Sequence, residues 1–155
     1  MKKDQNRPSV NKPDQTLPRS KILRGRRNFQ RLFEKSTVLN SDTLQFRYRL
    51  YDDPNEGCYI GFIAPKKLFK GAVKRNKAKR LLREVYRIHQ YMIQDLLIEN
   101  QFGFHGAFLA LKTGLSYQDV KRDMLPILSK VRAKLENIER NSRETGRSAE
   151  AGDIN

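Results

Sequence analysis

Lysine and arginine are concentrated in one short segment of the sequence. The 22 residues from 66 to 87 contain ten Lys or Arg residues and one acidic residue, Glu84, in a chain whose net charge is +15. Helical surfaces usually mix both signs, because acids and bases spaced four residues apart attract each other. Like charges at this density repel one another unless a polyanion neutralises them. The segment therefore predicts a binding site for the phosphates of a nucleic acid.

A helix is the element that must position these cations. No glycine or proline occurs in residues 74–99, and apolar residues recur at the spacing of one helical face. The predicted buried arc spans roughly 120° and comprises Ala78, Leu81, Leu82, Val85, Ile88, Met92 and Leu96. The opposite arc comprises Arg75, Asn76, Lys79, Arg80, Arg83 and Arg87, with Tyr86 expected to project among them. One side of the helix is thus predicted to bind nucleic acid while the other packs in the domain.

The basic segment has three other possible explanations. A solvated surface with no ligand, a nuclear-localisation sequence and a calmodulin-binding helix all account for the charge. The clustering of like charge disfavours the solvated surface, and neither of the other two calls for Asn76 among the cations or for a helix anchored in a folded core. These two features favour a surface that binds nucleic acid.

The composition is that of one small basic domain. The chain has 155 residues, of which 37% are hydrophobic and 32% are charged. The single cysteine, Cys58, excludes a disulfide framework and a cysteine-based zinc site. The longest apolar run, residues 107–111, is too short to cross a membrane, and the N-terminus lacks the apolar core of a secretory signal. We expect a cytoplasmic protein without membrane contact.

The sequence divides into three parts. Residues 1–19 contain three prolines and few large apolar side chains, which predicts a disordered basic arm. Residues 20–140 carry the periodic patterns and are predicted to form an RNA-binding α/β domain. Residues 141–155 are polar and are predicted to form a disordered tail.

A short helix is predicted within residues 20–35, beginning near Arg26. Phe29, Leu32 and Phe33 recur in it at positions i, i+3 and i+4, and arginines surround them. Aromatic rings beside arginines suit the stacking of unpaired bases next to phosphate contacts. Phenylalanines at this spacing are more often core residues than a platform for a ligand, and both interpretations stay open.

Strands are predicted at residues 36–40, 43–51, 58–64 and 106–112. In the second strand apolar residues alternate with Gln45, Arg47 and Arg49, which predicts one core face and one cationic face. The third strand is apolar on both faces, so we expect it in the interior of the sheet.

A final helix is predicted over residues 117–138. Ser116 and Asp119 have the spacing of a capping box, and Pro126 is expected to kink or split the helix. The resulting order, α-β-β-β-α-β-α, predicts an α/β fold in which helices pack on a sheet of three to four strands.

Residues able to catalyse a reaction are scarce. The only histidines are His89 and His105, one on the flank of the basic helix and one in a predicted loop, where a lone histidine is usually structural. Gly71 stands alone and is not part of a nucleotide-binding loop. We expect the polypeptide by itself to contribute no catalytic residue and no metal ligand.

The basic helix resembles the signature of a known protein family. The motif Ala72-x-x-Arg75-Asn76-Lys77-x-x-Arg80-Leu81-x-Arg83-Glu84, preceded by Lys66-Lys67, is similar to that of the protein subunit of bacterial ribonuclease P. In that family an Arg-Asn-Arg motif opens a long helix. Asn28-Phe29-x-x-Leu32-Phe33 and the segment 59–67 are also similar, and the resemblance covers about residues 21–135. The chain departs from the pattern at Lys77, which replaces the second arginine, and at Asn28, where an acid is common.

The resemblance implies a fold and a function. The fold would be an α/β sandwich like a domain of a ribosomal protein, with a left-handed crossover between parallel strands. The subunit would join a catalytic RNA, and the holoenzyme would remove the 5′ leader of precursor tRNA by hydrolysis. The RNA would perform the chemistry with Mg²⁺, bound mainly by the RNA.

The same resemblance assigns roles to residues. The expected ligands of the catalytic RNA are Lys66, Lys67, Arg75, Asn76, Lys77, Lys79, Arg80, Arg83 and Arg87. The expected ligands of the single-stranded leader are Phe29, Phe33, Gln45 and Arg47. The expected partners are therefore the catalytic RNA and precursor tRNA, with no obligate protein partner evident.

Two other functions fit a basic α/β domain. A ribosomal protein or RNA chaperone would have the same basic helix without a cleft for a substrate. A DNA-binding helix-turn-helix protein would need a short helix and a turn before its recognition helix, whereas here a strand precedes the basic helix.

Overall fold

Four α-helices and four β-strands make up the part of the chain described by the computed structural model, residues 15–99 and 101–154, with side chains described up to residue 141. In chain order they are α1 (Arg26–Glu34), β1 (Thr37–Asn40), β2 (Leu44–Tyr51), β3 (Cys58–Ile63), α2 (Ala72–His89), α3 (Tyr91–Glu99), β4 (Gly103–Ala110) and α4 (Tyr117–Ile154). Short 3₁₀ turns at Arg19–Lys21 and Pro54–Glu56 precede α1 and β3. The predicted α/β class and sheet are confirmed.

The strands form one sheet in the order β1-β2-β4-β3. The pairs β1–β2 and β2–β4 are antiparallel, whereas β3 and β4 are parallel, with Cys58 opposite Phe104 and Ile63 opposite Leu109. Parallel neighbours need a crossover connection, which here consists of α2 and α3. This crossover places the basic helix on one face of the sheet.

The larger core lies between the sheet and the helices α2, α3 and α4. Its centre is aromatic: Phe46 from β2, Phe62 from β3, and Phe104 and Phe108 from β4 are all buried. The ring centroids of Phe46 and Phe108 are 4.3 Å apart. The Phe46 ring also lies against Gly106, where a Cβ would come within 2.6 Å of its Cζ. Since aromatic side chains bury the largest apolar areas, this cluster fixes the position of α2 on the sheet.

The helix α1 covers part of the opposite face. Leu23 and Leu32 pack there with Ala107 in a second, smaller core. Because α1 has only nine residues, the β1–β2 side of this face remains accessible, and Val38 of β1 is 37% exposed. The sheet therefore has one fully covered face and one that is partly open.

The strand β3 lies at an edge of the sheet, so its predicted interior position is wrong. The predicted burial of both its faces is confirmed, because Ile60 packs in the larger core and Ile63 against the smaller one. Along its outer edge, Ile22 pairs with Ile60, and the Leu23 N–H donates to the Ile60 carbonyl at 3.0 Å. Because helices cover both faces of β3, this edge strand has the apolar composition that is usual for an interior strand.

The helix predicted over residues 74–99 is two helices. α2 ends at His89 and α3 begins at Tyr91, with Gln90 between them. The Gln90 amide donates to the carbonyls of Arg87 at 3.1 Å and Thr16 at 2.7 Å. A side chain that binds carbonyl groups at a helix end compensates for lost helical hydrogen bonds. The helical spacing of apolar residues in a sequence does not by itself reveal a helix break that is one residue long.

The helix α4 begins with the predicted capping box. The Ser116 N–H donates to Asp119 Oδ2 at 2.9 Å, and the Asp119 N–H donates to Ser116 Oγ at 3.1 Å. The helix passes through Pro126 undivided and continues to Ile154, beyond the boundary predicted at residue 140. Polarity suggested a tail there, but no proline follows Pro126, and a polar sequence without proline can remain helical.

Polar contacts tie α4 to the sheet and to α3. Asp123, which is buried, accepts hydrogen bonds from the Thr43 N–H at 2.8 Å and the Thr43 hydroxyl at 2.5 Å. Arg132 donates to the Met92 carbonyl and to Asp95, both at 2.8 Å. These contacts position α4 over the larger core.

The first described residues belong to the folded body. Leu17 is 9% exposed and packs in the larger core, and the 3₁₀ turn Arg19–Lys21 begins after Pro18. Residues 15–19 of the arm predicted for residues 1–19 are therefore part of the folded body. Residues 1–14 lie outside the described part of the chain.

Candidate nucleic-acid interface

The helix α2 presents a cationic surface to solvent. We call this the α2 cation surface, and it comprises the exposed residues Asn76, Lys77, Lys79, Arg80 and Arg83. Leu82 and Val85, on the other side of the helix, are buried in the larger core. The structure thus places these predicted ligands at the surface, and their contact with RNA stays a prediction.

The turn between β3 and α2 carries two more predicted ligands. Lys66 and Lys67 are exposed, and the N–H groups of Leu68 and Phe69 both donate to the Pro65 carbonyl. Phe69 is 6% exposed and anchors the turn in the larger core. The two lysines are therefore held at the approach to the first turn of α2.

Two arginines of α2 donate to backbone carbonyls of the same chain. Arg75 Nη1 lies 3.3 Å from the Phe69 carbonyl, and Arg83 Nη2 lies 3.4 Å from the Leu17 carbonyl. A carbonyl oxygen orients a guanidinium without cancelling its charge, and the remaining N–H groups are available to other acceptors. Arg83 remains exposed, whereas Arg75 is half-buried.

Arg87 differs from the other predicted ligands because it is paired with an acid. Its Nη2 and Nε donate to Glu84 at 2.6 and 3.1 Å, and its Nη1 donates to the Gln15 carbonyl at 3.2 Å. The hydrogen bond from Arg87 lowers the pKa of the Glu84 carboxyl below its usual value. Arg87 would have to give up these contacts before it could hold a phosphate.

The N-terminal segment that binds α2 was not predicted. The carbonyls of Gln15, Thr16 and Leu17 accept hydrogen bonds from Arg87, Gln90 and Arg83 respectively. The segment contributes mainly backbone atoms, which have no signature in a sequence. The only available signal was Leu17, a single apolar residue in a polar stretch.

The prediction that Tyr86 projects among the cations is wrong. Tyr86 is 3% exposed, and its ring lies 5.9 Å from Phe62 and 5.8 Å from Phe108 between centroids. Burial raises the pKa of its phenol well above the usual value. Tyr86 adjoins the buried side of α2, and its long side chain reaches the aromatic core.

A cleft between α1 and α2 joins residues that are distant in sequence. Its volume is about 440 Å³, and Arg24 and Phe29 line it from one side. Asn76, Lys79 and Arg80 line it from the other. The α2 cation surface therefore continues toward the start of α1.

A second surface lies on the accessible side of the sheet. The open sheet surface, as we name it, comprises Phe33 of α1, Asn40 of β1, and Gln45 and Arg47 of β2. The Arg47 guanidinium lies 5.3 Å from the Phe33 ring centroid, and its Nε donates to Gln45 Oε1 at 2.8 Å. Gln45 Nε2 donates in turn to Asn40 Oδ1 at 2.9 Å. Three of the four predicted leader ligands are thus brought together.

Phe29, the fourth predicted leader ligand, is partly a core residue. It packs against the smaller core, and its ring contacts Gly61, where a Cβ would lie 2.8 Å from Phe29 Cζ. The Phe29 and Phe33 rings are stacked with centroids 6.3 Å apart. Phe33 is 39% exposed, so it is the more accessible of the two rings.

Beside the open sheet surface lies a cluster of cations around Tyr51. The guanidinium groups of Arg31 and Arg49 each lie 4.7 Å from the Tyr51 ring centroid. Arg31 also pairs with Glu56 at 2.7 Å, and this hydrogen bond lowers the pKa of the Glu56 carboxyl. Sequence reasoning placed only Arg49 on a cationic strand face and missed the cluster, because its members come from three elements.

Both histidines are buried and bound to backbone. His89 Nδ1 lies 2.8 Å from the Val85 carbonyl one helical turn earlier, and His105 Nε2 lies 3.0 Å from the Glu56 carbonyl. The exposed fractions are 6% for His89 and 2% for His105. The predicted loop position of His105 is wrong, because it lies within β4, whereas the structural rather than catalytic surroundings expected for both side chains are present.

Comparison with known proteins assigns the chain to a family. The sequence model of the ribonuclease P family matches residues 17–132. The chain is 30% identical over 130 residues to the ribonuclease P protein component of Chlorobaculum tepidum, an alignment that covers 81% of each chain. The chain belongs to the ribonuclease P protein family. It is also 39% identical over 67 residues to the corresponding component of Porphyromonas gingivalis, although that match spans only 49% of the relative.

A solved structure supports the fold of this ribonuclease P family member. The RNase P protein from Thermotoga maritima superposes with a TM-score of 0.55 at 23% identity, covering 70% of this chain and 96% of that one. The family match begins at Leu17, which anchors the N-terminal segment in the larger core beside α2. It ends at Arg132, which donates a hydrogen bond to α3. It therefore includes both surfaces described above.

Within 15–99 and 101–154, no helix combines the length and the apolar character needed to cross a membrane. In the same part of the chain, no three His, Cys, Asp or Glu side chains lie close enough together to hold a metal ion.

Proposed function

We propose that this chain is the protein subunit of a bacterial ribonuclease P that binds the catalytic RNA with one surface and the 5′ leader of precursor tRNA with the other. The holoenzyme would cut the precursor and release the mature 5′ end. The RNA would perform the chemistry, and the protein would improve the binding of the substrate. Because its substrate is a transcript, the protein would act in the bacterial cytoplasm.

The α2 cation surface is proposed to bind the catalytic RNA. Lys79, Arg80 and Arg83 project from a helix that the aromatic core holds in place, so their spacing is fixed before the RNA arrives. Arginine favours bidentate contacts with phosphate, and Asn76 can both donate and accept. Lys66 and Lys67 extend the same charge to the turn before the helix.

The open sheet surface is proposed to bind the leader. Phe33 provides a partly exposed ring on which a base can stack, and Arg47 beside it provides a charge for the adjoining phosphate. Stacking of this kind tolerates any base, as a leader of variable sequence requires.

The observation that carries the proposal is the separation of the two surfaces by the sheet. α2 packs on one face, whereas Phe33 and Arg47 meet on the other. A binder of one structured RNA needs only the helix. A second surface with an exposed ring and a cation suits a single strand, and it distinguishes this function from that of a ribosomal protein or RNA chaperone.

The reaction also requires Mg²⁺, which we assign to the RNA subunit. The donors that Mg²⁺ prefers are oxygen atoms, including those of phosphates, and the RNA supplies them in quantity. No residue of this chain is assigned as a metal ligand.

The proposal is tested by reconstituting the full chain with the ribonuclease P RNA of the same organism. Affinities are measured for precursor tRNA with a leader of eight nucleotides and for mature tRNA. The protein should tighten the binding of the precursor more than that of mature tRNA, and by itself it should cleave neither.

The variant R47A should remove most of the preference for the precursor. R140A, which deletes an exposed arginine of α4, is the matched control and should retain it. Equal tightening of both tRNAs by the parent protein, or recovery of the chain with ribosomal subunits rather than with one small RNA, would refute the proposal.

A further inference from the structure

A third cleft lies on the side of α2 that faces the loop after β4. Its volume is about 530 Å³, within the range of roughly 300–1,000 Å³ typical of small-ligand sites. Apolar walls come from Leu68 before α2, Leu81 within α2, and Leu115 after β4. Leu68 is 40% exposed, and the other two are half-buried. The cleft therefore offers accessible apolar surface next to the most basic segment of the chain.

Lysines surround this cleft. Lys70, Lys74 and Lys77 line it and are exposed, and none of its described lining residues is acidic. Lys112 lies on the far side and pairs with Asp42 at 2.7 Å. A ligand matched to this cleft would combine a flat or apolar part with negative charge at its edge.

We propose that the cleft binds one unstacked nucleotide of RNA, with its base against Leu68, Leu81 and Leu115 and its phosphates at Lys70, Lys74 and Lys77. Bases taken out of a stack are held between aromatic or apolar side chains in proteins that read them. Lysine ammonium groups bind the flanking phosphates as point charges. The exposed Thr113 in the loop after β4 adds a hydroxyl that can bind a base edge.

The position of the cleft favours a nucleotide over an acidic peptide. Lys77 lines this cleft, while its neighbour Asn76 lines the cleft between α1 and α2. The first turns of α2 therefore form a ridge between two cationic clefts, and a polynucleotide crossing the ridge would contact both. A volume of about 530 Å³ suits one base and its sugar better than the turns of an amphipathic helix.

This inference rests on the proposed function for one point only, that the polyanion is RNA. It adds a site that reads a base to a surface otherwise expected to bind phosphates. It also gives Lys70 and Lys74 a role that the family motif does not assign to them.

The experiment is a titration of the full chain, labelled at leucine methyl groups, followed by NMR. The probes are adenosine 5′-monophosphate, ribose 5-phosphate and a short acidic peptide. We expect the nucleotide to shift the methyl signals of Leu68, Leu81 and Leu115, and to bind more tightly than ribose 5-phosphate because only the nucleotide has a base.

Two variants test separately the contribution of the lysine charges and that of the space inside the cleft. K70Q with K74Q should weaken nucleotide binding about fivefold through the loss of two exposed phosphate contacts. A78M should fill the cleft without changing the charge, and should remove the advantage of the nucleotide over ribose 5-phosphate. K130Q with K134Q deletes two exposed lysines of α4 and should bind like the parent.

The same variants are then assayed for binding to the catalytic RNA. K70Q with K74Q, and A78M, should each weaken it, whereas the α4 control should not. Equal shifts from the nucleotide and ribose 5-phosphate, or shifts from the acidic peptide alone, would overturn the proposal of a nucleotide site. Preference for precursor tRNA would survive that result, so failure of the cleft is distinguishable from failure of the proposed function.

Discussion

The Arg47 guanidinium lies over the Phe33 ring, 5.3 Å from its centroid, and joins β2 to α1 on the open sheet surface. Gln45 fixes its orientation by accepting a hydrogen bond from Arg47 Nε at 2.8 Å. The Phe33 ring is 39% exposed, so part of it remains accessible to a stacking partner. The pair is therefore organised before any ligand binds, which reduces the entropy cost of recognition.

Removing the Phe33 ring should weaken the holoenzyme's binding of precursor tRNA selectively. Stacking of a base on an aromatic side chain contributes about 1–3 kcal/mol, so F33A should make the binding free energy of the precursor less favourable by about that amount, which is measured as an increase in Kd. Binding of mature tRNA, which lacks the leader, should not change. R47K should lose part of the same energy, since lysine keeps the charge but not the planar group that stacks on the ring. Equal losses for precursor and mature tRNA would contradict this assignment.

Phe29 should matter more for stability than Phe33. Because Phe29 packs against Gly61 and the smaller core, F29A should lower the free energy of unfolding by about 2–3 kcal/mol, somewhat less than a fully buried phenylalanine. G61A should cost about 1–3 kcal/mol, since its Cβ would collide with the Phe29 ring. Denaturant unfolding measures the loss of stability in F29A and in G61A. F33A is the control, and its loss should be smaller. A larger loss for F33A than for F29A would reverse these assignments.

The sequence was sufficient to predict the class and order of most helices and strands and the exposed cations of α2, because each depends on local periodicity and charge, but it missed the break between α2 and α3 at Gln90. It was not sufficient for Tyr86. A helical angle gives the direction of a side chain, but not how far a large ring reaches toward Phe62 and Phe108. Nor could composition separate β3 from an interior strand, since α1 buries its second face.

Contacts made by the backbone were the least predictable part of the site. The carbonyls of Gln15 and Leu17 orient Arg87 and Arg83, although neither residue type suggests it. Arg31 and Arg49 converge on Tyr51 only because the tertiary fold brings α1 and β2 together. Sequence patterns locate residues along an element, whereas such contacts depend on how the elements pack.

Arg80 and Arg87 should differ in their contribution to RNA binding. Arg80 is exposed and has no ion-pair partner among the described residues, whereas Arg87 is bound to Glu84. R80A should reduce the slope of log affinity for the catalytic RNA against log salt by about 0.9, the loss of one phosphate contact in a duplex. R87A should change the slope less.

Glu84 supplies the complementary test. E84Q removes the charge that pairs with Arg87, so it should strengthen RNA binding and steepen the salt dependence. For R80A and R87A, the variant R140A on α4 is the control for a general loss of positive charge. Identical slopes for R80A, R87A and the parent protein would exclude this side of α2 from the RNA interface.

Asp123 should make the stability of the domain depend on pH. Burial alone would raise the pKa of its carboxyl, but the hydrogen bonds from Thr43 and the charge of Arg122 outweigh this effect and lower it. A carboxyl whose folded pKa is depressed stabilises the protein above its unfolded pKa, about 3.9 for aspartate. That contribution is lost as the pH falls through the lower, folded pKa. The contact between α4 and Thr43 should therefore weaken only in acid.

D123N should lower the free energy of unfolding by about 1–3 kcal/mol at pH 7, because it leaves the buried Thr43 groups with a poorer acceptor. The difference between D123N and the parent protein should begin to shrink below about pH 4, where Asp123 of the unfolded parent chain becomes protonated, and should shrink further as the pH falls through the lower, folded pKa. Denaturant unfolding at pH 7, 5 and 3 measures this. D52N, in the exposed turn after β2, should change stability by less than about 0.5 kcal/mol at pH 7. A difference between D123N and the parent that stayed constant from pH 7 to pH 3 would show that the charge of Asp123 does not hold α4 on the sheet.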